Sequence, residues 1–137
     1  MTAHSPNFPW LSYYGHYEFF ERRMLEHSKV ESLEKINIGL YNITMKSGKT
    51  LKVFICECYA YGMAEFVETT EKYGKVDAVI ISSNWCGYTL DVKYNCMHKE
   101  IGIFDIGGFM GAINKVRFWE HMTDFEKEKL EHQNDDK

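Results

Sequence analysis

The chain has only two prolines, no low-complexity run and no apolar stretch approaching the roughly 20 residues of a membrane-crossing helix. These shortages argue against a disordered chain and against a helical membrane span. A basic surplus is missing too. Lys and Arg number 16 against 20 Asp and Glu, whereas a nucleic-acid binder draws its sequence-independent affinity from an excess of cations. The shortfall is local: residues 120–137 hold seven acids against three lysines, the whole of the net charge of −4, and residues 1–119 are neutral. Lys46, Lys49 and Lys52 form the densest basic cluster. Residues 1–6 carry neither a basic nor an apolar region of the secretory kind, and the expected location is the cytoplasm, with no membrane contact.

What is present is the balance of one folded domain. Hydrophobic residues make up 45% of the chain, charged residues 26% and aromatics 15%, enough for one core and short of two. The four cysteines, at 56, 58, 86 and 96, supply with His98 enough soft ligands for zinc. The paired C-x-x-C spacing of zinc sites is absent, however, and reduced core thiols are the expectation. None of the six histidines forms H-x-x-x-H or H-E-x-x-H. Gly107-Gly108 and Gly111 lack the spacing of a phosphate-binding loop and read as a tight strand-to-helix turn.

Periodicity divides the chain. Residues 1–12 hold both prolines and read as an irregular lead-in. Over 13–27, Tyr13, Tyr17, Phe20 and Met24 recur at helical steps with charges between them. Residues 36–45 alternate as a strand, Lys46-Ser-Gly-Lys49 has turn chemistry, and 50–59 is β-branched and aromatic, so the two segments predict a hairpin. Residues 62–74 predict a helix with Met63, Phe66 and Val67 on one face. Residues 76–82 predict a buried strand, 101–106 another, and a last helical region starts near Gly108, with a capping box at Thr123–Glu126. Residues 88–100 fit both periods. Thr89 as N-cap, Asp91 in the first turn and His98 and Lys99 at the end favour a helix.

On the helical reading the order is helix, strand, strand, helix, strand, helix, strand, helix. Within it, Ala78-Val-Ile-Ile-Ser-Ser83, then Gly87-Tyr-Thr89 opening a helix, then Ile101-Gly-Ile-Phe-Asp105 with Gly107-Gly-Phe109 resembles the carboxy-terminal half of Mrr-type restriction endonuclease domains, members of the PD-(D/E)xK nuclease-like superfamily. The resemblance covers roughly residues 17–113. It implies an α/β fold: a single three-layer domain with a central mixed sheet of about four strands flanked by helices, restriction-endonuclease-like. Residues 13–116 would form the core and 117–137 a C-terminal helix and acidic tail.

The resemblance also implies an active site on the first hairpin. Its metal-binding acid falls near Asn42 and its acid-x-lysine on Glu57-Cys58-Tyr59, while Glu21 lies where some members supply an extra carboxylate. The implied catalytic set is Glu57, Glu21, Asn42 and Tyr59, with Glu57 and Asn42 on the metal. Two members depart from the pattern: Asn is a weaker Mg²⁺ ligand than Asp, and Tyr carries no ammonium. Lys72 or Lys75 would be the substitutes for the missing lysine. The expected function is therefore a nuclease-like scaffold with degenerate or lost activity, acting in nucleic-acid recognition or a defence or DNA-processing assembly.

Two other classes stay open. An active Mg²⁺-dependent nuclease would use Glu57 with Glu21 or, were 88–100 extended, Asp77 with Asp91 and Lys93; otherwise those charges read as a solvated helix face. A protein-binding adaptor would use the aromatic Trp10, Tyr13, Tyr14 and Tyr17 and the acidic tail. DNA or another protein is the expected partner, a homodimer is reasonable, and Trp85 is the aromatic best placed for ligand contact.

Overall fold

The computed structural model describes residues 14–57, 60–82, 87–122 and 127. Its frame is α1 (Tyr14–Glu26), β1 (Val30–Asn37), β2 (Leu40–Met45), β3 (Thr50–Cys56), β4 (Ala60–Tyr61), α2 (Met63–Tyr73), β5 (Ala78–Ile81), β6 (Gly87–Tyr88), α3 (Leu90–Met97), β7 (Gly102–Asp105) and α4 (Ile106–Ala112), followed by a single 3₁₀ turn at Phe118–Glu120. The main sheet is mixed, in the order β1-β2-β3-β5-β7. β1, β2 and β3 form an antiparallel meander, and β5 and β7 then add parallel to β3. β4 and β6 make a separate two-stranded parallel ribbon.

Alternation along the strands splits the core into two layers. Tyr41, Ile43, Met45, Leu51, Val53 and Ile55 face α1 and α4, meeting Phe20, Met24, Phe109 and Ala112. Leu40, Phe54, Cys56, Val79 and Ile103 face α2 and α3, meeting Phe66, Val92 and Cys96. β5 lies between and is buried at all four positions, as an apolar run without alternation requires. Among the described residues the fold is α/β in three layers, with four helices about a five-stranded sheet.

The expected strand over 36–45 is two arms of a hairpin. Asn37 pairs with Leu40 across a two-residue turn, where Gly39 adopts φ 75°. β1 escapes the hydrophobic pattern because it is an edge strand, with Val30 its one buried residue. Within residues 88–100 the segment Leu90–Met97 is helical, as Thr89 foretold: its hydroxyl accepts the Val92 N–H at 3.1 Å. In α2 the buried face is Glu65, Phe66 and Thr69, and Val67 points outward at 46% exposure. The helix expected to start near Gly108 begins two residues before it and stops at Ala112. Asp105 caps it by accepting the Gly108 N–H at 2.6 Å. The lead-in 1–12, the capping box at 123–126 and nearly all of the acidic tail lie outside the described residues.

Cys56 and Cys96 are buried free thiols on the α2/α3 side of the sheet. Burial pushes the Cys96 thiol from 9.0 up to about 11, against a smaller downward pull from Lys99. Above pH 9 the unfolded chain gives up this proton while the folded chain keeps it, so folding stability falls as pH climbs from 9 to 11. Urea denaturation across that window is expected to show a loss on the order of 2 kcal/mol that Cys96→Ala removes. Tyr41 and Tyr73, both raised chiefly by burial, add to the alkaline loss that remains in Cys96→Ala above pH 10.

Candidate functional site

β3 and β5 end side by side at one end of the sheet, and α1 begins above them. Three polar side chains meet there. The His16 Nδ1 lies 3.4 Å from Glu57 Oε1, with the histidine 31% and the glutamate 14% exposed. Ser82 Oγ lies 3.4 Å from the same Nδ1 and 3.4 Å from the Cys56 carbonyl. Carboxyl ends of parallel strands are where α/β sheets gather ligand-binding groups. Apolar periodicity brings this trio together: Tyr17 and Phe20 bury α1 on the sheet and so carry His16 over the ends of β3 and β5.

The geometry sets limits on the chemistry. In a serine–histidine–acid relay the acid holds one ring nitrogen and the serine uses the other. Here serine and glutamate share Nδ1, so the trio is not arranged as an acyl-transfer relay. Nor are three metal-ligating side chains clustered among the described residues. What the trio offers is a half-buried, titratable pair beside a hydroxyl.

One turn further along α1, Glu21 Oε2 accepts the Tyr41 hydroxyl proton at 2.6 Å. Burial first, then this bond and the nearby charge, raise the Tyr41 pKa well above the ordinary phenol, so the tyrosine stays a neutral donor.

Asn42 does not join these groups. It shares its parity with Leu40, which faces α2 and α3, whereas Glu57 and Glu21 lie on the α1 side. Its neighbours are Lys52 across β3 and Glu34 across β1, whose carboxylate accepts its amide at 3.4 Å. A metal shared by Asn42 and Glu57 is therefore not assembled. Lys72 and Lys75, on and after α2, are exposed and belong to the opposite layer from Glu57. Tyr59, Trp85, Cys58, Cys86, Trp10 and Tyr13 lie outside the described residues.

The alternative acid-acid-lysine set falls apart as well. Asp77 precedes β5 and accepts the Lys52 backbone N–H at 2.8 Å. Asp91 is in the first turn of α3, at the opposite end of the sheet. Lys93 is neither a solvated helix charge nor beside Asp91; it is 2% exposed and its Nζ donates to the Ile103 carbonyl at 2.7 Å. Sequence reasoning did not pick out His16, which sits in no motif, or Ser82, which entered only as part of the 78–83 strand; only the packing of α1 joins them.

No protein family, curated protein or solved structure matches the chain. Among the described residues no helix is long and apolar enough to cross a membrane.

Proposed function

We propose that this chain is a restriction-endonuclease-like domain that recognises nucleic acid and has lost phosphodiester cleavage. The observation that carries the reading is the state of the carboxylates on the α1 face: Glu21 is engaged by Tyr41 and Glu57 by His16, with Asn42 on the other side of the sheet. Metal-dependent cleavage needs carboxylates converging on one cation and a group to steady the attacking water. A tyrosine and a histidine hold these carboxylates instead. What supports the scaffold half of the reading is a first helix, antiparallel strands and then two parallel crossover strands in one mixed sheet, although the expected two-strand hairpin is a three-strand meander and the sheet has five strands rather than about four.

The test is calorimetric titration of Mg²⁺ and Mn²⁺ into wild type and Glu57→Gln, with a plasmid-cleavage assay alongside. The expected result is no saturable metal site and no cleavage in either protein. Metal binding and cleavage in wild type, both lost in Glu57→Gln, would make the domain an active nuclease and overturn the proposal.

A further inference from the structure

The two ends of the sheet differ sharply in charge. At the end where β3, β5 and β7 finish, the described connecting residues, 38–39, 57, 82 and 89, contain one charged residue, Glu57. At the other end the connections are 27–29, 46–49, 74–77, 98–101 and 113–117. They contain Lys29, Lys46, Lys49, Lys75, Lys99, Lys115 and Arg117 against Asp77 and Glu100. The fold thus sorts the neutral stretch 1–119 into a basic end and an acid-bearing end. This is why linear composition shows no basic surplus.

Part of this sorting has a simple cause. Among the described residues, α1 to α4 all run toward the basic end, and cations after a helix C-terminus offset its partial negative charge of about half a unit. Four helix ends amount to about two negative charges, and Glu120 offsets Arg117 through a 2.6 Å ion pair. Against seven cations and two acids, a surplus of about two positive charges is left. Lys46 and Lys49 moreover follow no helix; they sit in the β2–β3 turn. Lys49 Nζ lies 5.4 Å and 5.5 Å from the rings of Phe118 and Trp119, and the Arg117 guanidinium is 5.4 Å from Trp119. Two of the cations are thus held over one aromatic platform, which lowers the ordering cost of engaging an anion.

Dimensions indicate what fits. The row runs from Lys29 before β1, through Lys46 and Lys49, to Lys75 before β5 and Lys99 before β7. Four interstrand steps make it about 19 Å long, facing on the order of ten phosphate charges of duplex nucleic acid. We propose that this basic end is the surface on which the phosphate backbone of nucleic acid docks, an inference that rests on the recognition reading above and places the contact away from Glu57. An anionic membrane is less favoured, because Val116, at 88% exposure, is the one large apolar side chain exposed in these connections, and peripheral membrane binding relies on buried apolar area as well as charge.

The experiment measures binding of fluorescein-labelled DNA and RNA duplexes by anisotropy between about 50 and 200 mM salt. It compares wild type with Lys46→Glu/Lys75→Glu and with Arg22→Glu/Lys35→Glu, which makes the same charge change on α1 and β1. The basic-end variant is expected to bind at least tenfold more weakly and to lose about two units of the log K against log salt slope. The control is expected to stay within threefold of wild type with its slope unchanged. If the reversal perturbs folding, seen as a lowered melting temperature, Lys46→Gln/Lys75→Gln is expected to lose the same two contacts without inverting charge. Equal weakening by both reversal variants would overturn this surface and leave nucleic-acid recognition standing. No duplex binding by wild type, with or without binding to phosphatidylserine vesicles, would overturn both.

Discussion

Replacing Lys93 by alanine is expected to cost about 4 kcal/mol of folding stability, and replacing it by methionine about half as much, as read from urea denaturation. Lys93 lies in the middle of α3 and is 2% exposed, so its whole stem is packed. Its ammonium reaches β7, the edge strand of the main sheet, and donates to the Ile103 carbonyl at 2.7 Å. The same nitrogen sits 4.4 Å from the centre of the Phe104 ring and 5.4 Å from that of Tyr88. An edge strand leaves half its backbone groups without a strand neighbour, and a buried carbonyl without a donor costs about 1 to 3 kcal/mol. Alanine removes both the donor and the packed stem, leaving a cavity; methionine removes the donor alone. A loss below about 1 kcal/mol in Lys93→Ala would mean that the stem is not packed and the carbonyl finds water.

Lys93 also shows why periodicity could not finish the reading. As a helix residue between Asp91 and Asn95 it has the sequence context of a solvated charge. Its burial comes from the edge of β7 across from it, a relation no local pattern encodes. The parallel half was more legible. β5 announced itself as an unbroken apolar run, and α3 through the Thr89 cap. β1 was not legible, because an edge strand with one buried residue has no hydrophobic alternation to read.

The candidate site was legible in part. Glu21 and Glu57 do lie on one side of the sheet. Asn42 does not, and the length of the β2–β3 turn could have said so. Met45 N donates to the Lys49 carbonyl at 2.7 Å, which sets Asn42 opposite Lys52. Directly opposite residues in an antiparallel pair point to the same face, so Asn42 goes with the even residues of β3 and Glu57 with the odd. The His16–Glu57–Ser82 meeting had no such local signal. Its members are separated by 25 or more residues, and only the docking of Tyr17 and Phe20 on the sheet joins them.

That docking depends on Gly39, and Gly39→Ala is expected to cost about 3 kcal/mol and lower the melting temperature by about 10 °C in a thermal scan. Two effects add. At φ 75° the backbone is left-handed, which costs a side chain with a Cβ roughly 1 to 2 kcal/mol. A Cβ there would also lie 2.7 Å from the Ile55 carbonyl oxygen and 3.4 Å from the Tyr17 ring. The carbonyl is backbone and cannot swing aside. The turn cannot retreat either, because the Ile55 N–H donates to the Gly39 carbonyl at 2.7 Å, clamping the turn to β3. Gly48 separates the two contributions: it too has positive φ, at 94°, but open space where a Cβ would go. Gly48→Ala should therefore lose only the backbone share, about 1 kcal/mol. Equal losses at both positions would show that contact with Ile55 and Tyr17 contributes nothing. A larger loss at Gly39 ties the first hairpin to the seat of α1, and through α1 to where His16 and Glu21 stand.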